Sequence, residues 1–534
     1  MKTMISSIIL ASCLALPLAS CSDSDVAPEQ KDWSTTTYFY SADAAMQDTY
    51  YKPTVGYVGD PMPFFDPVAG DFKVLYLQDF RPNPEGTYHP IWGVSTKDAA
   101  HYTSLGELVS CGTKKSQDAA IGTGSTIYDE ASKLYYTFYT GNKYLPTGDE
   151  SAQAVMVATS PDFKTWTKDR TFLLKGQDFG YDKNDFRDPF VFKGDDGKFH
   201  MLVSTKKSGK GSLAEFVSDD LKNWTDNGVF MTMMWDRFYE CPDLFKMGDY
   251  WYLVYSEIHH AVRRVQYFKG RTLDELKACT ANDVARWPDA HEGFLDSRGL
   301  YAGKTASDGT NRYLWGWCPT RSGKDNTAVG ASPAEPEWGG NLVCYKLIQH
   351  EDGTLTLGQV DAVSEKYNQD VAVEVKESQN MTEADGTYTL AGNAELDAYM
   401  LMGRLGNHNK ISFTVTTSNE WDKFGISMVR GSDSKKYYTM VVNPENENNR
   451  KVNFEEQGVE GKGFIAGIDG YVFARPADNV YNITIYTDNS ICVMYINDVC
   501  SYTNRIYGIQ KNCWSINSYN GANVKVSNLK ISQY

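Results

Sequence analysis

The sequence pattern predicts an all-β protein: a five-bladed β-propeller followed by a C-terminal β-sandwich. Three observations carry this. First, an aromatic-rich, strand-like run recurs five times, at Phe72–Tyr76, Leu134–Tyr139, Phe199–Val203, Tyr250–Tyr255 and Arg312–Trp317. The period is roughly 50–65 residues, the span of one four-stranded blade. Second, a polar turn motif follows several of these runs. Ser160-Pro161-Asp162-Phe163-Lys164-Thr165-Trp166 matches Ser218-Asp219-Asp220-Leu221-Lys222-Asn223-Trp224, and Thr96 to Tyr102 is a weaker copy. In each, an Asp precedes an aromatic residue by four positions. Third, the repeat stops near residue 363 while strand-like alternation continues, as in Lys410–Val415 and Tyr481–Tyr486. Short alternating strands without a repeat predict a sandwich.

Taken in order, the chain begins with a targeting segment. Lys2 supplies a positive end, and Ile5 to Leu18 forms an apolar run too short to span a bilayer comfortably. Leu18-Ala19-Ser20-Cys21 resembles the lipobox of bacterial lipoproteins, which makes residues 1–21 a signal peptide and Cys21 the lipidated residue. Ser22-Asp23-Ser24-Asp25 resembles an acidic run that directs some lipoproteins to the outer cell face. The expectation is an exported protein, lipid-anchored to the bacterial envelope. Residues 22–50 read as a tether, 51–362 as the propeller and 363–534 as the sandwich. Within the propeller, one short helix is predicted at Thr272 to Lys277. Within the sandwich, Val493–Cys500 reads as a hairpin turning at Asn497-Asp498. Trp514 and Tyr519 are read as core residues.

The bulk numbers narrow the function. A net charge of -16 repels phosphate backbones, so no nucleic-acid partner is expected. The 8 His show no HExxH or zinc spacing, and the 10 Cys form no CxxC. No metal or cofactor is expected, and the Cys outside the leader read mostly as buried small hydrophobes. Aromatic residues, at 13%, suit sugar rings as well as sheet cores.

A propeller directs the start of each blade's inner strand to a central pocket. The five opening segments are Val58–Phe65, Gly122–Ile127, Phe186–Phe190, Tyr239–Phe245 and Gly299–Lys304. Three of them carry a carboxylate followed at once, or after one residue, by Pro: Asp60, Asp188 and Glu240. Acids in an aromatic-lined pocket suit glycosidic cleavage, where one carboxylate attacks, one carboxyl donates and retrieves a proton, and fixed negative charge stabilises an oxocarbenium-like transition state. Arg187 is read as tempering that charge and binding substrate.

These residues resemble glycoside hydrolase family 32, whose members cleave β-fructofuranosides such as sucrose, inulin and levan. Arg187-Asp188-Pro189 and Glu240-Cys241-Pro242 match two of its motifs. The resemblance implies Asp60 as nucleophile, Glu240 as acid/base and Asp188 as transition-state stabiliser. It also implies that Gln78, Trp92, Ser125, Arg187 and Trp338 bind an oligo- or polysaccharide substrate. The chain departs from the family where Asn-Asp-Pro-Asn-Gly becomes Gly59-Asp60-Pro61-Met62-Pro63, which implies an altered sugar subsite. Three alternatives stay open at this level. One is an inverting arabinan- or xylan-directed hydrolase resembling family 43. The others are a fructosyltransferase and a non-catalytic glycan-binding lipoprotein.

Overall fold

The structure, a computed structural model, describes residues 49–80, 88–233, 238–257, 264–279, 293–320, 338–393, 396–430, 436–443, 451–455, 471–473, 475–506, 508–509, 512–519 and 521–534. The leader, Cys21 and the tether up to residue 48 lie outside this set.

The strands of the N-terminal half fall into five antiparallel groups. The first holds β1 (Tyr57–Asp66), β2 (Asp71–Asp79), β3 (Ile91–Thr96) and β4 (Thr103–Val109). The second holds β5 (Ala120–Asp129), β6 (Leu134–Asn142), β7 (Gln153–Ser160) and β8 (Thr167–Lys168). The third holds β9 (Phe186–Lys193), β10 (Phe199–Lys207), β11 (Lys210–Ser218) and β12 (Thr225–Thr232). Among the described residues the fourth holds β13 (Glu240–Met247), β14 (Tyr250–Glu257) and β15 (Arg264–Gly270). The fifth holds β16 (Tyr301–Ser307), β17 (Arg312–Pro319), β18 (Gly340–Gln349) and β19 (Leu355–Gly358). The inner strands β1, β5, β9, β13 and β16 neighbour one another in a closed ring. A pairing of Val58 with Gly340 ties the first group to the last. The arrangement is a β-propeller.

Apolar layers separate the blades. Tyr136, Phe138, Phe186 and Phe216 fill the layer between the second and third; Leu202, Leu213, Leu253 and Tyr255 fill that between the third and fourth. The repeated polar motif is a turn device. Asp98, Asp162 and Asp220 each accept two backbone N–H groups, from residues two and three positions on. The residue after each Asp, Ala99, Phe163 or Leu221, has φ near +60°. An Asp that hydrogen-bonds its own turn stabilises this conformation, which explains the recurrence. The predicted helix is α1 (Leu273–Ala278), capped by the Thr272 hydroxyl accepting from Glu275 N–H at 3.1 Å.

After α2 (Asp361–Lys366) come two facing sheets. One contains β20 (Gln369–Val371), β22 (Met381–Ala384), β23 (Thr387–Ala391), β25 (His408–Thr417), β30 (Val480–Asp488), β31 (Ile491–Ile496), β32 (Cys500–Arg505) and β34 (Asn523–Gln533). The other contains β21 (Val375–Gln379), β24 (Ala398–Arg404), β26 (Phe424–Arg430), β27 (Lys436–Asn443), β28 (Lys451–Glu455), β29 (Tyr471–Val472) and β33 (Cys513–Ser518). Ile411, Phe413, Ile426, Ile485, Met494 and Trp514 share their core. Asn497 and Asp498 both have positive φ at the β31–β32 turn, as a type I′ geometry requires. Trp514 and Tyr519 are buried, as are six of the eight described Cys.

The sandwich is welded to the fifth blade. Buried Arg505 donates to the Cys318 and Pro319 carbonyls and to Asn341 Oδ1 at 2.6–3.1 Å. Buried Asp296 accepts from Ser501 Oγ, Thr503 Oγ1 and Thr503 N–H, each at 2.8 Å. Tyr486, Ile491, Val493 and Tyr495 extend the propeller's own apolar cluster.

Candidate active site

Every inner strand opens with one extra residue relative to its partner. The ladder shifts between Gly59 and Met62, Gly122 and Gly124, Arg187 and Phe190, Glu240 and Asp243, and Tyr301 and Lys304. A bulge of this kind re-aims the local side chains and leaves the rest of the ladder intact. The displaced residues are Asp60, Thr123, Asp188, Cys241 and Ala302, and four of them have positive φ, from +24° to +56°. Non-glycine residues adopt this conformation at a cost of about 1–3 kcal/mol each, and such positions concentrate at functional sites. Asp60 and Asp188 thus occupy equivalent positions. Glu240 lies one residue earlier, level with Gly59 and Arg187, which corrects the simple three-acid register read from the sequence.

The bulges bring the three acids into one network. Asp60 accepts Thr123 Oγ1–H at 2.8 Å on Oδ2 and the Trp317 indole N–H at 3.0 Å on Oδ1. Asp188 Oδ2 accepts the Cys241 backbone N–H at 2.9 Å, and its own N–H donates to Thr140 Oγ1. Glu240 accepts Arg187 Nη2–H at 2.9 Å on one oxygen and the Tyr301 hydroxyl on the other. Arg187 also binds Asp185 at 2.7 Å and lies over the Phe238 ring, 3.9 Å from its centroid. Asp60 and Glu240 are half-buried, whereas Asp188 is only 4% exposed.

Burial raises the Asp188 carboxyl to about 6; Arg187 and the Cys241 N–H pull it down, and Glu240 and Asp60 push it up. Burial also works against the Arg187 charge, but Glu240, Asp188 and Asp185 outweigh it and hold the guanidinium above its ordinary value. Burial and the Asp60 and Asp188 charges raise the Cys241 thiol, which leaves it protonated.

The other residues singled out by sequence divide. Arg187 stands in the network. Trp338 reaches it through Trp317, with ring centroids 5.9 Å apart, and stacks on His89 at 4.0 Å. The Trp338 ring also covers Gly59: a Cβ there would sit 2.7 Å from Cζ2 and Cζ3. Indole therefore fills the space beside the Asp60 backbone that a side chain at 59 would need. Ser125 has a different job. Its hydroxyl donates to Pro189 O and accepts from Val191 N–H, both at 2.9 Å, stapling the second blade to the third. Gln78 is fully buried and donates to Val55 O, and Trp92 packs on Phe80 in the third strand of its blade. Neither has a described contact with the acids.

Sequence reasoning missed Thr123, Trp317 and Tyr301. Thr123 carried a usable signal, since it holds the second blade's version of the Asp60 position.

Comparison with known proteins agrees with this geometry. Residues 50–360 match the family described as "Glycosyl hydrolases family 32 N-terminal domain", and residues 353–531 match "GH32, BT1760-like, C-terminal domain". Among curated proteins, the chain is 26% identical over 310 residues to "Beta-fructofuranosidase, insoluble isoenzyme CWINV2" of Arabidopsis thaliana, covering 53% of this chain and 50% of that one. It is 26% identical over 240 residues to a sucrose-6-phosphate hydrolase of Vibrio alginolyticus, covering 42% and 45%. The chain thus spans about half the length of these relatives. Among solved structures, exo-inulinase from Aspergillus awamori superposes with a TM-score of 0.68 at 16% identity, covering 91% of this chain and 98% of that one. Fructan 1-exohydrolase IIa from Cichorium intybus superposes at 0.67 and 15%, covering 92% and 98%. These likenesses give the fold, a propeller joined to a sandwich. The resemblance to family 43 falls away, because the N-terminal match alone covers more than half of the sequence: the chain belongs to glycoside hydrolase family 32.

Proposed function

We propose that the protein hydrolyses β-fructofuranosidic bonds in fructans or sucrose-type oligosaccharides by retaining double displacement. The observation that carries this reading is the single hydrogen-bonded and electrostatic network joining Asp60, Asp188 and Glu240 from three blades. Asp60 attacks the anomeric carbon, the bond to the glycosidic oxygen breaks, and Glu240 protonates that oxygen. Water then attacks the fructosyl–Asp60 ester, Glu240 takes the water's proton, and the Asp60 carboxylate departs. Asp188, buried and ionised above its raised pKa, faces the positive charge that develops in both steps. Thr123 and Trp317 hold the attacking carboxylate in one orientation. Arg187 and Tyr301 hold Glu240. The Trp338 face beside Gly59 offers stacking where a polar side chain would offer hydrogen bonds.

Incubation with sucrose, inulin, levan and arabinan, followed by NMR, tests this. Fructose or fructo-oligosaccharide released first as the β anomer is expected. Release only from arabinan, or an inverted anomer, would overturn it.

We also propose that the protein is exported and held at the envelope through lipid on Cys21, on the strength of Leu18-Ala19-Ser20-Cys21. Cys21→Ser should then move the protein from the membrane pellet to the soluble fraction. Equal partition of the variant and the wild type excludes the anchor.

A further inference from the structure

Among the described residues the fifth blade contributes no acid to this network. Its displaced residue is Ala302, and two positions later stands Lys304, a lysine only 2% exposed. Buried ammonium groups are rare unless paired, because burial disfavours the charged form. Among the described residues Lys304 makes one hydrogen bond, from Nζ to Gly124 O at 2.7 Å, and its Nζ lies 5.6 Å from the Phe190 ring centroid.

Gly124 is not an arbitrary acceptor. Its N–H donates to Met62 Sδ at 3.1 Å, and the residue before it, Thr123, donates to Asp60 Oδ2. A Cβ at 124 would run into the Phe138 carbonyl of β6, so the peptide is pressed against its own blade. Lys304 therefore grips, from the opposite side of the ring, the turn that orients the proposed nucleophile.

The charges around Lys304 come from three other inner strands. Asp60 faces it from β1, Asp188 from β9 and Asp243 from β13, beside the protonated Cys241 thiol, while β5 presents the Gly124 carbonyl. Arg187 is engaged by Glu240 and Asp185, and Arg312 of β17 lies beside Asp243.

We infer that Lys304 is a positioning residue for the proposed reaction: its buried ammonium fixes the Thr123–Gly124 turn against Asp60 and supplies a counter-charge that favours ionised Asp60 and Asp188. Burial lowers the lysine from its ordinary value, and the Asp243, Asp188 and Asp60 carboxylates act in the opposite direction, as a cation held by these acids requires. This inference rests on the activity proposed above.

The test is the pH profile of kcat/KM on a fructan that the wild type cleaves. Lys304→Gln keeps an N–H donor for Gly124 O and removes the charge. A cation favours ionised carboxylates, so its loss should move both limbs of the profile to higher pH by about one unit. A loss confined to geometry would lower the rate and leave the limbs in place. Lys304→Arg keeps the charge and should leave the limbs where they are, whatever it does to the rate. A Lys304→Gln profile that superimposes on wild type after scaling would overturn the inference. So would limbs displaced in Lys304→Arg, a result that stands even if the glutamine variant does not fold. A wild type inactive on every fructan would instead sink the proposed function.

Discussion

Glu240→Gln is expected to lower kcat on natural fructans by about 1,000-fold, within the range that positioned acid–base groups contribute. The variant keeps the shape of the site. A glutamine oxygen can still accept the Arg187 N–H now bound at 2.9 Å, and the Tyr301 hydroxyl can rotate to suit the amide. What disappears is the proton. Both half-reactions use it: the first needs an acid for the leaving oxygen and the second a base for water. A substrate whose leaving group departs without protonation should restore the first half only. With such a substrate the fructosyl–Asp60 ester should accumulate, visible as a burst of leaving group followed by a slow steady state. Steady-state kinetics on levan or inulin and a burst experiment on an activated fructoside check the two parts. A variant that retains wild-type kcat would remove Glu240 from the mechanism.

Asp188→Asn is expected to cut activity and raise stability together. The carboxyl titrates near pH 6 when folded and near 3.8 unfolded. Its folded pKa lies above its unfolded one, so ionising it opposes folding. The penalty is absent below about pH 4, grows between 4 and 6, and is fully present at pH 7, where it amounts to about 3 kcal/mol. Asparagine keeps an oxygen for the Cys241 N–H and carries no charge. Denaturant unfolding at pH 7 should therefore show a gain of up to about 3 kcal/mol that shrinks towards pH 4. Catalysis should fall by about 100- to 1,000-fold, as for loss of one fixed electrostatic stabiliser. In the wild type, activity should also decline as pH drops through 6, because a protonated Asp188 no longer faces the developing cation. Reduced stability at pH 7 in the variant would contradict this account.

The fold was legible because propeller blades repeat. The aromatic strands and the Asp turns recur in sequence for a local physical reason, and each local reason could be read without knowing the whole. The acids were legible for the same cause: Asp60, Asp188 and Glu240 stand at blade openings and each is near a Pro. The finer geometry was not. An extra residue in each inner strand decides which side chain faces the centre, and residue type does not announce it. Ser125, two residues past the second bulge, turns to the neighbouring blade, while Thr123, on the bulge, turns to Asp60. Tyr301 and Trp317 looked like ordinary strand aromatics, since nothing local in a β-strand distinguishes a core ring from one that hydrogen-bonds an acid. The indole over Gly59 joins residues almost 280 positions apart in the chain, and no local pattern links them.

The inserted residue in each inner strand has a broader consequence. Asp, Thr, Asp, Cys and Ala occupy one backbone position five times over in a single molecule. The chain thus contains its own substitution series, run by nature on a common frame. The flanking ladder closes after each of the five, whatever the side chain. Chemistry at the centre can therefore be exchanged one socket at a time without redesigning the walls. Ala302 is the socket left without a functional group, and so the first place to install one.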